Sequence, residues 1–315
     1  MENEKNEFQK KELPEELLKE ALQKYNLSDS LLEEIREIRQ YLHTNPELSG
    51  EEYKTTEFIK KFLTEHNIKI LPFNLKTGVV AEIGEGEKIV ALRADIDALP
   101  INEMTDYPYK SQNDGVMHAC GHDFHTASLL GAAKVLKERE KELKGRVRLI
   151  FQPAEEINAG AKEVIASGAL EEVSAIAGFH NKPDLPLRTI GIKSGPLMAA
   201  VDRFEVKING TGTHAAAPQN GNDPIVTASQ IVTSIQSIVS RYVSSADMAI
   251  ISVTRISGGN TWNVIPESVV MEGTMRTFKK SVQERIKKLF IQVIKIILKL
   301  LNRNTKFCGE IHIHL

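Results

Sequence analysis

The chain has 315 residues, 41% of them apolar and 26% charged, with a formal net charge of -2 at pH 7. This is ordinary composition for a soluble chain long enough for two domains, and the near-neutral charge gives no electrostatic reason to expect nucleic acid as a partner. Two cysteines are too few for a disulfide framework, the charged N-terminus lacks the apolar core of a signal peptide, and the most apolar region, Leu289 to Leu301, is broken by Lys295 and Lys299, so the expectation is a cytoplasmic protein with no membrane partner.

Residues 1–28 are rich in Glu and Lys and read as a charged extension, with a short amphipathic helix available over Leu13 to Tyr25. Ser28 or Asp29 caps a helix to about Leu42, whose apolar face holds Leu31, Leu32, Ile35, Ile38 and Leu42. Pro46 ends that segment, and a second helix covers about Glu51 to Glu65. His43 and His66 sit at helix ends, where capping or surface roles explain them better than ligation. Val79 to Ile83 and Lys88 to Leu92 read as strands around a Gly84-Glu85-Gly86 turn. Asp95 and Asp97 follow; at i and i+2 on a strand end they point the same way, to bind a metal or, the reading preferred here, to brace metal ligands from behind.

Met117-His118-Ala119-Cys120-Gly121-His122-Asp123-Phe124-His125 packs metal-binding side-chain types around a flexible glycine, just where the helical pattern of Thr126 to Leu143 begins. Arg146 to Gln152 is a strand that ends in Pro153-Ala154-Glu155-Glu156, and a helix follows over Ala161 to Ser167. Ser174 to Phe179 is another strand, with His180 at its carboxyl end. Strands alternating with helices give an α/β catalytic domain on a mostly parallel sheet, whose site belongs at the carboxyl ends of the strands.

Past Gly195 the pattern changes. Arg203 to Ile208 alternates as a half-exposed strand, Pro224 to Tyr242 is a long amphipathic helix, Ala249 to Ile256 and Val269 to Phe278 are strands, and a helix starts near Ser281. This order implies a smaller α+β domain with helices on one face of an antiparallel sheet. The boundaries read as 29–197 and 198–302, with 303–315 an unmatched tail.

Cys120, His122, Glu156 and His180 together suit one or two divalent ions, which lower the pKa of water and polarise a carbonyl. The Glu155-Glu156 pair can divide the labour, with Glu156 ligating and Glu155 moving the proton. In the second domain His214 lies in a Gly-rich loop, while Asn263 and Arg276 are polar groups among apolar neighbours; Arg276 suits a bidentate contact to a substrate carboxylate.

Together, Tyr41 to Leu48, Arg93 to Pro100, Met117 to His125, Gln152 to Glu156, Gly178 to His180, Gly212 to Pro218 and Asn263 to Pro266 resemble the M20 family of metallopeptidases, in its amidohydrolase branch. The resemblance implies metal-dependent hydrolysis of N-acyl amino acids, with Mn, Zn, Co or Ni held by Cys120, His122, Glu156 and His180, and Glu155 as general base. It implies a lid domain that mediates a homodimer, His214 at the oxyanion, and Asn263 and Arg276 at the substrate's carboxylate end. Deacetylation of N-acetyldiaminopimelate, dipeptide hydrolysis and an inactive dimerisation module are the alternatives. The resemblance also implies a further segment with a final metal-binding His; the run Ile294 to Asn304 does not match it, which leaves the catalytic sheet incomplete and reads as A/T-rich DNA translated in a shifted frame.

Overall fold

The computed structural model describes residues 9–12, 16, 20, 27–187, 189–301 and 309–314. Most of the helix expected over Leu13 to Tyr25 therefore lies outside the described residues. The chain forms two compact units, 11–190 and 191–315, the latter with residues 1–10.

The first unit runs α1 (Asp29–Thr44), α2 (Tyr53–Glu65), β2 (Lys69–Ile70), β3 (Val79–Ile83), β4 (Ile89–Asp95), α3 (His122–Glu138), β5 (Arg146–Gln152), α4 (Gly160–Ala166) and β6 (Val173–Gly178), after a short strand β1 (Gln9–Glu12) at the start of the chain. Ser28 caps α1 by accepting from the Leu31 N–H. Glu47 caps α2 from upstream: its two carboxylate oxygens take the N–H groups of Lys54 and Thr55 at 3.1 and 2.8 Å. The sheet order is β2-β3-β5-β4-β6. β3 and β4 are not a hairpin around Gly84 to Gly86, because β5 lies between them, antiparallel to β3 and parallel to β4. β6 adds on parallel to β4. The three parallel strands β5-β4-β6 carry the site; β2 and β3 make the sheet mixed.

Period-2 alternation divides the core. Val79, Ala81, Ile83, Leu149 and Phe151 pack with Ile38, Leu42, Ile59, Leu63 and Leu130 of the first three helices. Val80, Ala91 and Ile150 point the other way, toward Val164 and Ala169.

In the second unit β8 (Ala200–Asn209), α5 (Pro224–Tyr242), β10 (Ala249–Ser257), β12 (Ser268–Thr277), α6 (Lys280–Leu301) and β13 (Gly309–His314) build an antiparallel sheet of order β10-β12-β8-β13, with both helices in one core. The short strands β9 (Thr213–His214) and β11 (Val264–Ile265) pair with each other, and a further short strand, β7 (Thr189–Ile192), spans residues on both sides of the 190/191 division. The wide apolar stripe of α6 has a local explanation: Ile286, Phe290, Ile294, Ile297 and Leu298 are buried against Phe204, Met271 and Ile235. No helix among the described residues is long and apolar enough to cross a membrane.

His43 is not a surface residue. It is 5% exposed and bridges Asp123 and Glu103, through Nδ1 at 2.9 Å and Nε2 at 3.2 Å, while Arg39 Nε also donates to Asp123. The pair ties α1 to the first turn of α3. The Asp123 hydrogen bond raises the His43 pKa; at Asp123 burial is outweighed by His43, whose hydrogen bond leads the groups that hold the acid below its usual range. The raised His43 contributes fully below pH 6.5 and loses its contribution as pH climbs through the folded value, whereas Asp123 contributes above pH 3.8 and loses it as pH falls through its folded value. His43→Ala should therefore cost on the order of 3 kcal/mol in urea unfolding between those limits. The penalty should shrink at both extremes; a constant penalty from pH 3 to 9 would show that the charges do not matter.

Candidate metal centre

Parallel register aligns three strand ends. Asp95 stands beside Gln152 in the β4–β5 ladder, and Arg93 beside Gly178 in the β4–β6 ladder. The segments that leave these strands carry Asp97, Glu155 with Glu156, and His180. Gly121, at φ 85° in the left-handed region, turns the chain into α3 and delivers Cys120 and His122 to the same edge. A Cβ on Gly121 would lie 2.7 Å from the Asn181 side chain, so glycine is required by conformation and by space.

Two histidines have the orientation that a metal ligand would need. His122 Nδ1 lies 2.9 Å from the Asp97 carbonyl and 3.2 Å from its Oδ1, and donates there, which leaves a lone pair on Nε2. His180 Nδ1 donates to the Asn181 carbonyl at 2.8 Å, freeing its Nε2 in the same way. Ligating imidazoles characteristically have such a partner behind them. His122 Nε2 and Glu156 Oε1 are buried, have no hydrogen-bond partner, and stand 3.8 Å apart; Cys120 Sγ and His180 Nε2 stand 3.4 Å apart. Donors about 2.0–2.3 Å from a tetrahedral ion are roughly 3.3–3.8 Å from one another, so these spacings fit a divalent ion. Among the described residues three groups bring ligand atoms within 4.8 Å of one another: Cys120, His122 and His180; His122, Glu155 and Glu156; and Asp95, His122 and His125.

The electrostatics agree. Burial and the charges of Glu156, Glu155 and Asp95 push the Cys120 thiol up to about 12. Burial, then Glu156, raises Glu155. At His122 burial opposes protonation, but Asp97, Asp95 and Glu156 outweigh it and raise the pKa. Burial works against ionisation of Asp95 and Asp97 too, yet their histidine partners and, for Asp95, Arg93 at 2.7 Å hold both below the usual carboxylate range. Four carboxylates face Arg93 here, and a divalent cation would offset the rest of their charge.

The brace expected of the aspartates is present at Asp97, which holds His122, accepts from Ser49 at 2.7 Å and takes the Glu156 N–H at 2.9 Å. Sequence reading missed two members of the site. His125 lies between Asp95, 2.6 Å from Nδ1, and the Asn181 N–H, which donates to Nε2 at 3.0 Å. It thereby fixes the residue after His180; its i+3 spacing from His122 on one helix was the available signal. Ala154, at φ 49°, holds a left-handed backbone that costs a non-glycine residue on the order of 1 kcal/mol, just before the Glu155-Glu156 pair.

The remaining expected residues lie in the second unit. His214 is exposed on β9, opposite Val264 of β11. The Ala216 N–H donates to its Nδ1 at 3.1 Å, so Nε2 keeps the proton and is a hydrogen-bond donor. Asn263 accepts the Ala215 N–H at its carbonyl and the Thr261 hydroxyl at Oδ1. Arg276 is half-buried on β12, paired with Ile250 and Val201.

Residues 91–301 match the family described as peptidase family M20/M25/M40. The chain is 56% identical over 282 residues to an N-acetyl-L-cysteine deacetylase of Bacillus subtilis, covering 89% of this chain and 68% of that protein. It is 40% identical over 272 residues to an N-acyl-L-amino acid amidohydrolase of Geobacillus stearothermophilus, covering 85% and 74%. Among solved structures it resembles the Bacillus subtilis YXEP protein, a dinuclear metal-binding peptidase of the M20 family, with 46% identity, a TM-score of 0.76, and coverage of 91% of this chain and 74% of that one. The chain belongs to the M20 peptidase family. It spans about two thirds of the length of several curated relatives, 68%, 66% and 59% for three of them.

A thiol held near 12 must lose its proton to ligate, so binding of Zn or Mn at pH 7 should release at least about one proton per ion. Calorimetry in buffers of different ionisation enthalpy measures this release. Cys120→Ala should lower it by about one proton; an unchanged release would remove Cys120 from the ligand set.

Proposed function

We propose that this chain hydrolyses the amide bond of N-acyl amino acids of the N-acetyl type, N-acetylcysteine among them, giving a carboxylic acid and a free amino acid. The observation that carries the proposal is Glu155 beside Cys120, His122, Glu156 and His180 at the carboxyl ends of three parallel strands. The names of its relatives support the substrate class.

Cys120, His122, Glu156 and His180 would hold one or two divalent ions. Sulfur, imidazole and carboxylate donors suit Zn, Mn, Co or Ni. Such an ion acidifies water and polarises the substrate's carbonyl. Glu155 takes a proton from the attacking water and returns it to the departing nitrogen as the C–N bond breaks, so one side chain is base and then acid. Burial and the neighbouring Glu156 make its carboxylate readier to accept that proton than an exposed glutamate. Asp97 keeps the His122 ring and the Glu156 N–H fixed while charge moves. The Nε2–H of His214 is a donor of the kind that stabilises negative charge developing on the carbonyl oxygen. Arg276, assisted by Asn263, would hold the substrate's carboxylate in a planar fork. The same reading makes the protein a homodimer through its second unit.

Hydrolysis of N-acetylcysteine and N-acetylmethionine with added Mn or Zn tests the proposal. Glu155→Gln should lower kcat by about 10²–10⁴-fold, while metal affinity measured by calorimetry stays near wild type. Turnover that survives this substitution would remove Glu155 as the base. Arg276→Lys should raise KM more than it lowers kcat, because a point charge replaces a two-pronged donor. An unchanged KM would release Arg276 from the substrate.

A further inference from the structure

Glu52 is fully buried at 0% exposure, and no cation pairs with it among the described residues. It occupies the position before the first residue of α2, where a side chain ordinarily caps the helix, yet it makes no such bond; Glu47 does the capping instead. The Glu52 carboxylate turns inward. Its Oε1 accepts the N–H groups of Gly50 at 2.9 Å and Ala154 at 2.8 Å, and its Oε2 accepts the Thr77 hydroxyl at 2.7 Å.

The bond to Ala154 matters because that residue starts the turn that carries the two glutamates. Ala154 holds the left-handed backbone just before Glu155 and Glu156, and its carbonyl accepts the N–H groups of Ala159 and Gly160. Two residues later the Glu156 N–H donates to Asp97. The amides on either side of Glu155 are thus each held by a buried carboxylate. Asp97 also serves His122, whereas the three hydrogen bonds of the Glu52 side chain go to Gly50, Ala154 and Thr77. A buried carboxylate with no counter-charge is a costly way to fasten a loop, and its three donors fix both its rotamer and the backbone it holds.

We propose that Glu52 is a positioning residue: by fixing the Ala154 N–H it sets where Glu155 and Glu156 stand. The inference rests on the hydrolase reading for the role of Glu155. It concerns the reach of an acceptor and not its charge, which gives two substitutions opposite expectations. Glu52→Gln keeps an oxygen for Gly50 and Ala154, and its NH₂ group can donate to Thr77, whose hydroxyl turns round. Glu52→Asp keeps the charge but is one methylene too short to reach Ala154.

The experiment measures kcat and KM on N-acetylmethionine, Mn affinity by calorimetry, and thermal midpoint for wild type, Glu52→Gln, Glu52→Asp and Glu155→Gln. Glu52→Gln should stay within about threefold of wild type in kcat and Mn affinity. Glu52→Asp should lose on the order of 100-fold in kcat at similar KM, the effect of displacing a reacting group by about 1 Å. It should lose at least about tenfold in Mn affinity, because Glu156 moves with the same turn. A Glu52→Asp protein with a lowered midpoint but wild-type kcat and Mn affinity overturns the proposal in favour of a purely structural role. Gln behaving worse than Asp overturns it in favour of charge. If wild type binds Mn without turning over substrate, the hydrolase reading fails, and the Mn affinities of the two Glu52 variants still decide the positioning. If Glu52→Asp does not fold, Thr77→Val replaces it, removing only the Oε2 bond: a drop of about tenfold in Mn affinity supports the proposal and a wild-type value overturns it.

Discussion

Everything at the candidate centre depends on the parallel register of β5, β4 and β6. Parallel strands need long crossovers, and each crossover leaves its strand at the same edge of the sheet. Because Asp95 aligns with Gln152 and Arg93 with Gly178, the loops bearing Asp97, Glu155 and His180 begin side by side. One more delivery, the left-handed Gly121 at the start of α3, completes the set. A shift of one residue in any of these ladders would turn alternate side chains to the opposite face and scatter the donors.

The second constraint is charge. Four carboxylates, Asp95, Asp97, Glu155 and Glu156, crowd three histidines and a thiol, and Cys120, Glu155 and His122 are all raised. Burial leads at Cys120 and Glu155, with the neighbouring carboxylates adding to it, whereas at His122 the carboxylates overcome burial; His122 Nε2 and Glu156 Oε1 stand buried without hydrogen-bond partners in the same region. The aspartates are held ionised by their histidine neighbours and so hold the imidazoles in turn. Geometry and electrostatics are one arrangement seen from two sides.

The second unit is built by simpler means. β8 and β12 alternate strictly, and two amphipathic helices cover the apolar side of their sheet. The family match runs through α6 to residue 301, further than the motifs alone reached. Its apolar residues after Ile294 include Ile297 and Leu298 in the core; Ile296 and Leu300 remain exposed.

By itself the sequence marked the longer elements and a candidate donor set. Periodicity marked α1, α5, β8 and β12 because burial of one face leaves a repeat in the chain, and Cys120, His122, Glu155, Glu156 and His180 stood out because few other side chains bind transition metals. What it could not give is adjacency between distant segments. That β5 inserts between β3 and β4 is a matter of pairing, which leaves no local mark. His43 read as a helix end because its partners Asp123 and Glu103 are 80 and 60 residues away. Glu52 carries no mark in the local sequence; only the tertiary structure brings it to the Ala154 N–H, 102 positions on. Local chemistry is written in residue types and spacing, while the bonds that orient it are made between segments that the chain separates and the fold brings together.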